Sequence, residues 1–66
     1  VKNNLKIARV QKNLTQQDLA ERIGVSRQTI NSIETNRYIP STLLALKVSK
    51  ELACKVEELF ELEQDD

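Results

Sequence analysis

The chain contains one glycine, Gly24, and the residues on either side of it are arranged for two short helices meeting at a sharp bend. Thr15 stands where it can cap a helix running through Ile23, and Asp18, three residues on, completes a shortened capping box. Leu14 before that cap and Leu19 after it occupy the positions of a hydrophobic staple. Ser26 repeats the arrangement for a second helix through about Thr35, with Val25 and Ile30 as its staple. Between the two lie only Gly24, Val25 and Ser26, and Gly24 takes a positive φ without steric cost. Helices joined this tightly must cross steeply, so a small side chain is needed where they touch. Ala20, four residues before the glycine, is spaced for that contact.

The remaining elements read as helical too. No segment alternates polar and apolar residues as a half-buried strand does, and helix formers are dense throughout. A first helix is expected from about Asn4 to Lys12, with Leu5 and Ala8 inward and Asn13 as a left-handed stop. Pro40-Ser41 opens a fourth helix, capped by Ser41 and carrying Leu46, Val48, Ser49 and Leu52. A last turn covers about Val56 to Phe60, and the acidic tail over 61–66 is expected to fray. With 66 residues, 39% of them apolar, one core is the most the chain can bury, so 1–66 reads as a single all-α domain.

Composition removes most chemistry. There is no histidine, one cysteine, and only Tyr38 and Phe60 as aromatics. No Cys/His cluster for zinc, no Cys–His or Ser–His nucleophile and no disulfide within one chain can form. No metal, no cofactor and no enzymatic activity are therefore expected. Asp18 with Glu21, and Glu57 with Glu58, read as charged helix surface rather than acid–base pairs. Cys54 reads as a small core hydrophobe in preference to a redox switch, and a lone thiol suits a reducing cytoplasm. The longest apolar runs are four residues, too short to span a membrane, and no signal-peptide pattern opens the chain.

The net charge is zero, yet it is unevenly spread. Residues 1–38 hold seven basic and three acidic side chains, while residues 39–66 hold three lysines against seven acids. Such a chain can present one positive face to a polyanion, or it can simply carry a solvated surface with an acidic tail.

Spacing goes further. With Gln16 as position 1 of a twenty-residue unit, Leu19 and Ala20 fall at 4 and 5, Ile23-Gly24-Val25 at 8–10, and Ile30 and Ile33 at 15 and 18. The run from Leu14 to Ile30, continuing through Ile33-Glu34 and Arg37-Tyr38-Ile39-Pro40-Ser41, resembles the Cro/CI-type helix-turn-helix (XRE) family, and the resemblance extends from about Leu5 to Phe60. It is similar to minimal members consisting of this domain alone. The resemblance implies a five-helix bundle of the lambda-repressor-like DNA-binding type, with helices 2 and 3 forming the helix-turn-helix over 16–35. It further implies a cytoplasmic, sequence-specific transcriptional regulator of double-stranded DNA, a repressor in the first instance, with no small-molecule effector evident.

The residues support this on their own terms. If Ile30 and Ile33 face inward, then Arg27, Gln28, Asn31, Ser32 and Thr35 face outward. A merely solvated face usually alternates Lys and Glu, whereas this one carries the forked donors and acceptors that read base edges. Arg bridges guanine O6 and N7, and Gln or Asn bridges adenine N6 and N7. The resemblance likewise implies base contacts at Arg27, Gln28 and Ser32, with Thr29 as a methyl contact. Gln16, in the first turn of helix 2, is expected on a phosphate, as the family's Gln is at this place. Asn36, Arg37 and Tyr38 in the following loop, and Ser41 and Thr42 at the start of helix 4, are further phosphate candidates. The lesser reading of Tyr38 is a packed loop aromatic. Glu34 would repel DNA, so it is expected on the inner flank of its helix, paired with Arg9 as the family's Arg–Glu pair is.

One such module is too small to specify a genomic site, so a homodimer on an inverted repeat is expected, with half-sites about 34 Å apart. Leu43, Val56, Phe60 and Leu62 are the candidates for its seam; the other reading is that they complete the monomer core. The chain departs from the family where Ala53 replaces the usual Gly and where Lys55 stands in place of a capping Ser or Thr. An interaction module whose main contact is protein is the competing function, one that a co-purifying polypeptide would favour.

Overall fold

A computed structural model describes residues 1–66. Five helices follow one another: α1 (Leu5–Gln11), α2 (Gln16–Ile23), α3 (Arg27–Glu34), α4 (Thr42–Leu52) and α5 (Val56–Leu59). Their starts are set by hydroxyl side chains. Thr15 Oγ1 accepts from Asp18 N–H at 2.9 Å while Asp18 Oδ2 accepts from Thr15 N–H at 3.0 Å, a complete reciprocal cap. Ser26 and Ser41 cap α3 and α4 in the same way, through Thr29 N–H at 3.1 Å and Leu44 N–H at 3.2 Å. At α5 the lysine that replaces the usual hydroxyl offers no cap. Glu58 Oε1 instead reaches back to Lys55 N–H at 2.9 Å, the other half of a capping box.

Helix ends are equally local in origin. After α1, α2, α3 and α4 the chain turns through Asn13, Gly24, Asn36 and Ala53, all with φ between 53° and 76°. Past the end of α3, Asn36 and Arg37 return their N–H groups to its last carbonyls, Asn36 to Ile33 O at 3.1 Å and Arg37 to Ser32 O at 2.9 Å. Glycine is required at position 24 by conformation alone, since a Cβ there would meet nothing within 4 Å. Ala53 adopts the same left-handed state with a Cβ, which is strained for an L-residue.

The core takes side chains from every helix, and Leu5, Leu19, Ile30, Ile33, Val48, Leu52 and Leu59 are each under 2% exposed. Ala20 is fully buried, as a small residue at the bend should be. Along α4 it is Leu44, Val48 and Leu52 that face the core, whereas Leu46 stands in solvent. No helix is long and apolar enough to cross a membrane.

Two expectations need correction. The fold is not strictly all-α, because β1 (Lys2–Asn3) and β2 (Phe60–Glu61) pair antiparallel, Lys2 opposite Glu61 and Asn3 opposite Phe60. Two-residue strands are too short to leave an alternating pattern, and each exists only because the other end of the chain arrives beside it. The acidic tail does not fray but folds back. Asp66 Oδ2 and Glu63 Oε1 lie 2.9 and 3.1 Å from the Val1 amino group, and Asn4 Nδ2 donates to Glu61 Oε2 at 2.8 Å.

Candidate nucleic-acid interface

Helix α3 presents its polar side beside the loop that follows it. Ser26, Gln28, Thr29, Asn31, Ser32, Arg37 and Tyr38 line one open concavity, and no carboxylate lies among them. Gln28 is exposed and Asn31 and Ser32 are half-exposed, with Ile30 and Ile33 buried behind them. Six of the residues expected from sequence to touch DNA (Gln28, Thr29, Asn31, Ser32, Arg37 and Tyr38) therefore share one surface. Thr29 is the least free, since its hydroxyl and that of Ser26 lie 3.0 Å apart in the cap.

The acid at the end of α3 is turned away from this surface. Glu34 Oε2 accepts from Arg9 Nε at 2.7 Å and Glu34 Oε1 from Arg9 Nη2 at 3.2 Å, with the two side chains only 4% and 9% exposed. Arg9 Nη1 also donates to Leu14 O at 2.7 Å, so the guanidinium joins α1, α3 and the approach to α2. Every buried side-chain nitrogen and oxygen in the molecule has a partner. A buried pair of this kind survives because its hydrogen bonds replace the water each ion gave up.

Gln16, expected on a phosphate, also has partners within the protein. Its Nε2 donates to Glu34 Oε1 at 3.0 Å, and its Oε1 accepts from Arg27 Nη1 at 3.4 Å. The side chain thus links the buried ion pair to the exposed arginine at the start of α3. Asn36 is also engaged: its left-handed backbone turns the loop, and its Oδ1 accepts from Asn3 Nδ2 at 2.8 Å. Arg37 and Tyr38 remain exposed beside α3. Ser41 spends its hydroxyl on the α4 cap, and Thr42 lies on a different surface.

That second surface is an apolar groove lined by Ile39, Pro40, Thr42, Ala45, Leu46, Val56 and Phe60. It unites two of the four seam candidates, Val56 and Phe60. Leu43 and Leu62, 65% and 85% exposed, are not among its lining residues. Sequence reasoning missed Ile39 and Leu46; Leu46 was placed on the helix without its face being fixed. Asn3 carries no signal by which a sequence could have singled it out.

Comparison with known proteins gives the surface its context. A helix-turn-helix family model matches residues 5–59. An HTH-type transcriptional regulator of Methanocaldococcus jannaschii is 50% identical over 66 residues, covering all of both chains. The HTH-type transcriptional regulator YgzD of Bacillus subtilis is 42% identical, again over the whole of both. Among solved structures, the restriction-modification controller protein C.AhdI of Aeromonas hydrophila superposes with a TM-score of 0.78 at 30% identity, over 85% of this chain and 81% of that one. The SOS-response transcriptional repressor LexA of Eubacterium rectale gives 0.81 at 25% identity, over 96% of this chain and 67% of that one. With its capped α2 and α3, its left-handed Gly24 and a match over nearly its full length, the chain belongs to the XRE-type helix-turn-helix family of transcriptional regulators.

Proposed function

We propose that this chain is a sequence-specific reader of double-stranded DNA that represses transcription by occupying an inverted-repeat operator as a homodimer. The observation that carries the reading is the carboxylate-free concavity along α3, where Gln28, Asn31 and Ser32 stand beside Arg37. Arg27, Gln28, Asn31 and Ser32 reach base edges in the major groove, where bidentate Arg and Gln or Asn contacts discriminate base pairs. Thr29 offers its methyl group to a thymine. Arg37 and Tyr38 meet the phosphates, with Gln16, Asn36, Ser41 and Thr42 flanking them, and these contacts set the register of the reading helix. The buried Arg9–Glu34 pair supports this reading by removing the one carboxylate of α3 from the approaching backbone.

Dimerisation follows from the second surface. The groove beside Leu46, Val56 and Phe60 is covered by a second copy, and two-fold symmetry then sets the half-sites about 34 Å apart. The mode of action is steric: a promoter occupied by the dimer is closed to polymerase. Selection of bound duplexes from a random pool tests the whole reading. A palindromic motif should be enriched. A pool that stays random after repeated rounds, with binding indifferent to salt, removes DNA recognition from the account.

A further inference from the structure

Asn3 lies on a two-residue strand, far from α3 in sequence, yet its side chain is committed to the end of that helix. Asn3 Nδ2 donates to Ile33 O at 2.9 Å and to Asn36 Oδ1 at 2.8 Å, while Asn3 Oδ1 accepts from Leu5 N–H at 3.3 Å. Both amide hydrogens and the carbonyl are therefore used. Ile33 O and Asn36 are the two points that define how the chain leaves α3, since Asn36 holds the left-handed turn at φ 62°. Arg37, the next residue, is tied to the helix by its own N–H to Ser32 O at 2.9 Å. Asparagine adopts the left-handed state more readily than other side chains, yet a single residue in that state is held by its neighbours rather than by its own backbone. A bond to its side chain from outside the helix adds the constraint that the backbone alone lacks.

We propose that Asn3 is a positioning residue for the phosphate-contacting loop: it clamps Asn36 so that Arg37 and Tyr38 are held in the concavity beside α3. This rests on the reading of Arg37 as a phosphate contact. The strand pairing holds Asn3 in turn, because it sits opposite Phe60 in the register, with Asn4 N–H donating to Leu59 O at 2.8 Å. The small sheet thus has a task at the DNA-facing side of the molecule. An ordered arginine meets phosphate with its entropy already lost, whereas a loose one must be ordered on binding.

The test uses the full chain and a fluorescent duplex of mixed sequence, titrated at a series of salt concentrations. Asn3→Ala should weaken binding about two- to tenfold, the cost of ordering one long side chain on binding. It should also lower the slope of log K against log salt by up to about one, as the loss of a phosphate contact does. The ratio of affinities for A·T-rich and G·C-rich duplexes should not change, because no base contact is touched. In an Arg37→Ala background the same substitution should cost almost nothing more. Amide exchange in the free protein should accelerate at Arg37 and stay unchanged at Ile30. Asn36→Gly removes only the Asn3–Asn36 bond while keeping the left-handed turn, and it should reproduce the salt effect even if Asn3→Ala folds poorly. A salt slope unchanged in both variants, or a loss that adds in full to that of Arg37→Ala, overturns the inference and leaves the DNA reading intact. Salt-indifferent binding by the unmodified chain overturns both.

Discussion

Arg9 and Glu34 face each other across the core with two nearly parallel hydrogen bonds, Nε to Oε2 at 2.7 Å and Nη2 to Oε1 at 3.2 Å. The pair connects α1 to the last turn of α3, and Gln16 extends it to Arg27. What a single helix could not do for its own carboxylate is done by a residue 25 positions away.

Removing one ion leaves the other buried without a partner. Arg9→Ala is expected to destabilise the fold by about 3–5 kcal/mol. For a domain of this size that is most of the available stability, so urea melts followed by circular dichroism should show little folded protein. A midpoint equal to that of the unmodified chain would mean that the pair is solvated in solution.

Ala53 gives a prediction of opposite sign. It turns the chain after α4 at φ 53°, where a Cβ is strained. Ala53→Gly should stabilise the protein by about 0.5–1 kcal/mol, the relief of strain being partly offset by the freer unfolded chain. A raised urea midpoint with an unchanged slope is the expected result; a lowered midpoint contradicts the left-handed assignment.

Acid should loosen the start of α2. Bonds from Thr15, its backbone N–H first and its side chain second, hold the Asp18 carboxyl below its ordinary value of 3.8, with a smaller contribution from the charge of Arg22. Because the folded state binds this proton less readily than the unfolded one, stability from the cap is present above the ordinary carboxylate range. It is lost as pH falls through the depressed folded value. Asp18→Asn should flatten that part of the stability–pH curve. The effect is a surface one and small, so the comparison is between slopes; identical acid profiles for the two proteins would dismiss the cap as a titrating element.

Base reading and backbone contact should separate by mutation. Gln28→Ala should relax preference at one base pair, at a cost of about 1–3 kcal/mol on the selected site. Arg37→Ala should weaken all duplexes alike and reduce the salt slope by about one. Intact sequence preference in Gln28→Ala would place a different face of α3 against the bases.

Leu46 tests the seam. It is 55% exposed and lies in the apolar groove, so Leu46→Glu should leave the monomer fold unaltered. Sedimentation should shift from dimer to monomer, and affinity for a palindromic site should fall by about 100-fold or more as the two half-sites lose their linkage. A dimer that persists in this variant has its seam elsewhere.

Much of this was legible in the sequence because it is written within a few residues. The Thr15–Asp18 box, the Ser26 and Ser41 caps and the left-handed Asn13 and Gly24 act over four positions or fewer, so residue type and spacing are sufficient to read them. The polar side of α3 follows from Ile30 and Ile33 by helical period alone. The resemblance that carried the DNA reading is made of the same local signals.

Most contacts between distant segments were not legible, since their partners have no fixed spacing; the Arg9–Glu34 pair was expected only through the family resemblance, and the structure forms it. Nothing in the spacing joins Gln16 to Glu34 and Arg27, whose side chains its amide links in the tertiary structure. The sequence made Phe60 read as the end of a last turn and Glu61 as the start of a loose tail, and their arrival beside Lys2–Asn3 put them in a sheet. It offered Leu43, Val56, Phe60 and Leu62 together as seam candidates, and the packed structure places Val56 and Phe60 in one groove with Ile39 and Leu46, while Leu43 and Leu62 stand exposed outside its lining. Helix starts, stops and faces were thus determined by short-range chemistry in the chain itself. Which side chains meet across the core, and which apolar ones are left outside it, was decided only when the helices packed, because close packing admits one arrangement of neighbours.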